Sequence, residues 1–212
     1  MCHNFDGVVL DTEHGCFNNE TLYSCIQVIK ASKKRCFVRL TDINKTMIRY
    51  CLDAGVDGLI FSTIETEKQC KEIIDYCFYS PKGKRGVGLV RQNFWGEKQL
   101  IQKSPIIIPQ IETRLAVDNL TSILKYEFDY YLIGPYDLSL SLNITGLFDN
   151  ELFLCYINKI MDLIPYSKTA VHIPNDIENQ IEKYKQCAIK CLGMDTIAIL
   201  EYNKRSINNV KF

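Results

Sequence analysis

The feature that most constrains this chain is a repeated switch of period. Short apolar or β-branched runs alternate with longer segments whose apolar residues recur at helical spacing. Strands are expected at Val8–Asp11, Cys36–Leu40, Gly58–Ser62, Ile106–Ile111, Tyr130–Ile133, Thr169–His172 and Thr196–Leu200, with helices between them. When every strand is followed by a helix, the helix carries the chain back across the sheet, so consecutive strands lie parallel. The regular spacing of these βα units suits an α/β barrel.

The helices have legible ends. Leu22, Ile26 and Ile29 form one apolar stripe, and Thr66 with Gln69 forms a capping box ahead of Ile73 and Ile74. A third helix is expected to carry Leu115, Leu120 and Leu124, and a fourth Ile177, Ile181 and Tyr184. Gly55 and Gly193 sit where helices would stop before a strand. The one long irregular stretch, from about Tyr79 to Ser104, contains Ser80-Pro81-Lys82-Gly83-Lys84-Arg85-Gly86-Val87-Gly88 and reads as a functional loop or lid.

Bulk properties narrow the function classes. A length of 212 residues with 47% hydrophobic content suits a single domain spanning 1–212. Lys and Arg (25) balance Asp and Glu (25) without long runs of either sign, which argues against a nucleic-acid groove or a membrane-binding face. No signal-peptide pattern opens the chain, so a cytoplasmic location is expected. The ten cysteines are scattered without CxxC pairs, as reduced and mostly buried thiols would be.

In a βα barrel, reactive groups sit at the C-terminal strand ends and in the loops after them. Asp11, Glu13 and His14 follow the first strand, Arg39 lies near the end of the second, Gln110 and Glu112 end the fourth, and Asp137 follows the fifth. Each taken alone has a plainer reading. Glu112 suits the start of a helix, Arg39 a rim ion pair, Asp53 a solvated helix end, and Arg85 a glycine-rich turn.

The successive segments Val9-Leu10-Asp11-Thr12-Glu13-His14, Phe37-Val38-Arg39, Gly83-Lys84-Arg85-Gly86-Val87-Gly88, Pro109-Gln110-Ile111-Glu112-Thr113 and Ile133-Gly134-Pro135-Tyr136-Asp137-Leu138-Ser139 together resemble the HpcH/HpaI aldolases, in order and in spacing. The resemblance implies a TIM (β/α)8-type barrel of which this chain lacks the first βα unit. It implies a metal-dependent carbon–carbon lyase that cleaves a 4-hydroxy-2-oxo acid to pyruvate and an aldehyde. Glu112 and Asp137 would hold the divalent metal, magnesium or manganese with cobalt as a third option. Arg39 would stabilise the enolate, His14 would be the acid/base, and Asp53 would orient it. Gln110, Tyr136, the amides around Gly134, and Arg85 would contact substrate. A homo-oligomer is implied as well.

Two departures accompany the resemblance. Tyr136 stands where the family has a small residue, and Ala198-Ile199-Leu200-Glu201 lacks the Asp-Thr ending expected after the last strand. Two other readings stand beside the aldolase: a degenerate barrel used as a binding or assembly subunit, and an acyl-CoA lyase related to citrate lyase beta.

Overall fold

The computed structural model describes residues 5–97, 104–173 and 177–208. Strands β1 (Gly7–Asp11), β2 (Arg35–Leu40), β3 (Gly58–Phe61), β4 (Ile106–Ile111), β5 (Tyr131–Ile133), β6 (Thr169–Ile173) and β7 (Ile189–Leu192) form one sheet in the order of the chain. Every neighbouring pair is parallel. The helices are α1 (Asn19–Ala31), α2 (Lys45–Ala54), α3 (Glu67–Cys77), α4 (Arg114–Asp118), α5 (Leu120–Ile123), α6 (Pro135–Ser141), α7 (Glu151–Leu163), α8 (Ile177–Lys183) and α9 (Asp195–Asn208).

Local chemistry explains the helix starts. The side chains of Asn18, Asn44 and Thr66 accept hydrogen bonds from first-turn amides of α1, α2 and α3, and Gln69 completes the capping box on α3. Gly55 ends α2 in the left-handed region, φ 96°, as its place before a strand suggests. At the N-terminal edge of the sheet, Asp57 accepts from Lys30 Nζ (2.5 Å) and from the Cys36 amide (2.8 Å), joining α1 and β2 to the start of β3.

Side-chain alternation divides the core in two. Leu59, Ile107, Ile111 and Ile133 pack against the helices with Leu22, Ile26 and Ile73. The other face gathers Ile60, Ile108, Leu132 and Ala170, which come from four different strands and are all buried. Because all four buried members of this second cluster are strand residues, the sheet must curl so that its inner face packs on itself. The result is an α/β fold with a seven-stranded, curled parallel sheet. Of the nine described cysteines, all are free thiols and five are buried. Burial pushes Cys36, Cys51, Cys70 and Cys77 up to about 12, so these four are protonated packing residues.

Three expectations change. The last strand is Ile189–Leu192, while Thr196–Leu200 lies inside α9. The run Thr-Ile-Ala-Ile-Leu is rich in β-branched residues, but the ladder beside β6 is already filled, with His172 opposite Cys191. Asp195 starts the helix by accepting from the Thr196 amide, and Glu201 pairs with Lys204 further along. Gly193, at φ 65°, therefore turns the chain from strand to helix instead of ending a helix. The Asp-Thr pair sought after the last strand is present as Asp195-Thr196. Finally, the helix expected through Leu115, Leu120 and Leu124 is broken into α4, α5 and a 3-10 turn at Leu124–Tyr126, with Leu115 facing solvent.

Candidate active site

Continuing the inner face of each strand by two residues passes from the apolar cluster to a polar mouth. Val9 leads to Asp11, Phe37 to Arg39, Ile60 to Ser62, Ile108 to Gln110 and then Glu112, Leu132 to Gly134, Ala170 to His172, and Ile189 to Cys191. These groups share the C-terminal end of the sheet, where parallel α/β folds place their chemistry.

Arg39 is held from two sides. Its Nε and Nη2 donate to the two Asp11 oxygens at 2.8 and 2.6 Å, and Nη1 lies 3.1 Å from Glu13. Burial pushes the Asp11 carboxyl up, but the Arg39 hydrogen bond and charge, with the amides of Glu13 and His14, outweigh it and hold the group below its usual value. The guanidinium is thus locked in orientation with part of its edge still open to the mouth. His14 follows in an exposed position, 3.7 Å from Glu13.

Glu112 is only 3% exposed. Its Oε1 accepts from the Thr63 amide (2.6 Å) and the Thr63 hydroxyl (2.8 Å), and Gln110 Nε2 donates to its Oε2. Thr63 adopts a left-handed φ of 53° to present both donors. Sequence reasoning missed this residue, whose only legible signal is its place just beyond β3. Burial raises the Glu112 pKa; the Thr63 bonds oppose that, and the nearby charges of Asp137 and Glu13 add to it. A Cβ on Gly134 would stand 2.6 Å from Glu112 Cβ and 2.8 Å from its Oε2, so only glycine permits this approach.

Asp137 lies in the first turn of α6, exposed, with Pro135 opening the helix. Tyr136 beside it is 61% exposed and packs edge-on against Phe148. Ser62 Oγ and Gln110 Oε1 are buried without a hydrogen-bond partner among the described residues. Buried polar atoms of that kind call for a ligand or water in the mouth.

A hard divalent cation fits this donor set. Among the described residues the Arg39 charge reaches Glu112 but no cationic side chain forms an ion pair with it, and no group of three His, Cys, Asp or Glu side chains could ligate a metal unaided. Two carboxylates, completed by ligand oxygens and water, make a shell of the magnesium or manganese type.

Asp53 and Arg85 lie elsewhere. Asp53 stands in the last turn of α2, just before β3 begins, whereas His14 follows the end of β1. The two are separated by a strand length, on the order of 13–20 Å. Within the chain, Asp53 instead accepts from Arg85 Nη2 at 2.6 Å, and the Arg85 guanidinium lies 4.8 Å from the Tyr79 ring. Asp53 also lines a surface groove of about 380 Å³ with Tyr23, Arg49, Leu89 and Trp95. Sequence reasoning gave no role to His172, which the fold places in the mouth; His3 lies outside the described residues.

A curled parallel sheet with acidic and basic side chains gathered at its C-terminal strand ends is the architecture of barrel-type small-molecule sites. The sequence profile of the HpcH/HpaI aldolase/citrate lyase family matches residues 1–187, and the chain belongs to that family. A 2-keto-3-deoxy-L-rhamnonate aldolase from Salmonella gallinarum is 32% identical over 145 residues, covering 65% of this chain and 54% of the relative. The aligned region thus spans about half the length of that relative.

Among solved structures, an HpcH/HpaI aldolase from Desulfitobacterium hafniense DCB-2 superposes with a TM-score of 0.84 at 20% identity, covering 97% of this chain and 83% of that one. The citrate synthase SbnG gives 0.82 at 24%, with the same coverage. These likenesses establish the fold. No helix among the described residues is long and apolar enough to cross a membrane.

The strained, desolvated setting of Glu112 has a measurable consequence. A carboxylate whose folded pKa is raised weakens the fold at pH values above that pKa and ceases to do so once protonated. Glu112→Gln should therefore raise the melting temperature of metal-free protein at pH 7 by about 2–4 °C, the shift for ~1 kcal/mol in a chain of this size. The gain should shrink as the pH falls through the Glu112 pKa toward the ordinary carboxylate range. Calorimetric scans of both proteins across pH would check this, and a loss of stability at pH 7 would contradict it.

Proposed function

We propose that this protein is a divalent-metal-dependent aldolase that cleaves a 4-hydroxy-2-oxo acid to pyruvate and an aldehyde. The observation that carries the reading is Glu112: a buried carboxylate at a strand end, fixed by Thr63 and Gln110, with the Asp137 carboxylate near enough to raise its pKa. Keeping a second carboxylate close to a buried one is costly unless a cation offsets the charge. We read the sheet as seven consecutive strands of a (β/α)8 barrel, with the closing strand falling between β7 and β1.

Glu112 and Asp137 would hold magnesium or manganese, which when bound supplies Lewis-acid polarisation of the oxo acid. The chain's own groups do the rest. The open edge of Arg39 faces the keto oxygen, and because Asp11 and Glu13 fix its direction it need not reorganise as negative charge develops there. His14 takes the proton from the C4 hydroxyl. The C3–C4 bond then breaks, its electron pair stays on the three-carbon fragment as the enolate, and the aldehyde leaves. Protonation at C3 yields pyruvate. Gln110 keeps Glu112 in register, and the amides following Gly134 suit the substrate carboxylate.

The resemblance pairs Asp53 with His14, yet the two stand at opposite ends of one chain's sheet. Both conditions are met if the active form is a homo-oligomer in which Asp53 of a second copy reaches His14. Arg85 then serves by orienting Asp53 instead of touching substrate.

With manganese or magnesium present, the protein is expected to exchange the methyl protons of pyruvate with deuterated solvent, followed by NMR, and to cleave 4-hydroxy-2-oxo acids. Metal-loaded protein that does neither would favour the binding-subunit reading. His14→Ala and Asp53→Ala should each lose cleavage by roughly a hundredfold or more, the scale of general acid–base catalysis. Mixing the two variants after dissociation and reassembly should restore a fraction of wild-type turnover, because hybrids contain one intact His14–Asp53 pair. If the mixture stays as inactive as its components, Asp53 does not act between copies.

A further inference from the structure

His172 is a titratable group of the mouth to which the proposed reaction gives no task. Its side chain lies on the same face of β6 as Ala170 of the inner apolar cluster and is therefore directed to the inside of the curl, one ladder step from Cys191 on β7. Val171 and Ile173 on either side pack outward with Ile177 and Leu192. The imidazole is close enough to Arg39 and Asp11 to feel both charges. An ordinary packing residue would have completed this wall more cheaply, since even a half-buried polar ring needs partners.

The ring's hydrogen bonding sets what it can recognise. Nε2 lies 3.3 Å from the Gly193 carbonyl oxygen, and a carbonyl only accepts, so Nε2 carries the proton. Burial and the Arg39 charge push the imidazole below its usual pKa, against the opposing pull of the Gly193 carbonyl and Asp11, and the ring is neutral at pH 7. Nδ1 is then a lone-pair acceptor. Among the described residues no hydrogen bond reaches Nδ1, and burial keeps the facing Cys191 thiol protonated. Gln110 Oε1, an acceptor, and Ser62 Oγ are likewise without partners among the described residues. Nδ1 and Gln110 Oε1 are thus two unpaired acceptors of the mouth, beside a Ser62 hydroxyl that can donate or accept.

We infer that His172 is a further substrate-binding residue, accepting through Nδ1 a hydrogen bond from a hydroxyl on the carbon chain of the bound oxo acid. The inference rests on the proposed aldolase reading and deepens it: the site also takes oxo acids hydroxylated at C3, which release 3-hydroxypyruvate in place of pyruvate, and binds them in preference to their unsubstituted or carboxylated analogues. A carboxylate would meet a second lone pair at this position and be repelled, and a methyl group would cover the acceptor without satisfying it.

The test is calorimetric titration of the manganese-loaded full chain with pyruvate and with 3-hydroxypyruvate. Wild type should bind the hydroxylated acid about tenfold more tightly, the usual worth of one buried hydrogen bond. His172→Leu should bring that ratio to about one. His172→Asn, whose side-chain oxygen can stand where Nδ1 stood, should retain part of the preference, and it separates lost recognition from a damaged fold. In ¹⁵N-histidine-labelled wild type, the Nδ1 resonance of His172 should move on adding 3-hydroxypyruvate and stay with pyruvate. A wild type without the preference, or a His172→Leu variant that keeps it, overturns the inference while leaving the aldolase reading intact. Failure of wild type to bind either acid with metal in place overturns both.

Discussion

The site depends on one costly arrangement, the burial of the Glu112 carboxylate at the end of β4. A carboxylate with 3% exposure loses most of its hydration, and three donors from two residues replace part of it. The rest of the local structure follows from keeping that charge in place. Thr63 takes up a left-handed backbone to aim its amide and hydroxyl at Oε1. Residue 134 is glycine because a Cβ would collide with Glu112. Asp137 adds a second negative charge at the adjoining helix start, which makes the pair unfavourable alone and well suited to a divalent cation.

A second arrangement serves the other side of the mouth. Arg39 is clamped by Asp11 and Glu13, so its direction is set by two carboxylates at the end of β1 and in the loop that follows. The cation therefore meets a ligand without first choosing a rotamer, and little ordering entropy remains to be lost on binding. Beneath both lies the cluster of Ile60, Ile108, Leu132 and Ala170, which supports the polar ring on a packed apolar floor. The polar groups of the mouth and the packing of the floor thus come from successive residues of the same strands.

Much of this was legible in the sequence because it follows from period and punctuation. Six of the seven strands, the Thr66 capping box and the Gly55 helix end all stand where apolar spacing and turn residues put them. The seventh strand was not, since Ile189-Lys190-Cys191-Leu192 is short and carries a lysine, while the more β-branched Thr196–Leu200 has no free ladder to join and becomes helix. At the site, Glu112, Arg39 and Asp137 could be picked out as chemistry at strand ends. Thr63 could not, because its contribution is a backbone conformation. His172 was passed over for want of a partner in sequence, although strand parity alone directs it inward. Asp53 shows the opposite limit: a motif match gave it a role, and the parallel topology then set it a strand length from His14.

The most direct test is a crystal structure of the protein grown with manganese and pyruvate, with anomalous data collected at the manganese edge. The account predicts a single strong peak bonded to a Glu112 oxygen and an Asp137 oxygen at about 2.1 Å, near the hard-cation distance, with pyruvate oxygens completing the shell beside Arg39. A peak elsewhere, or a refined mouth in which Glu112 and Asp137 share no ion while pyruvate is bound, would contradict it.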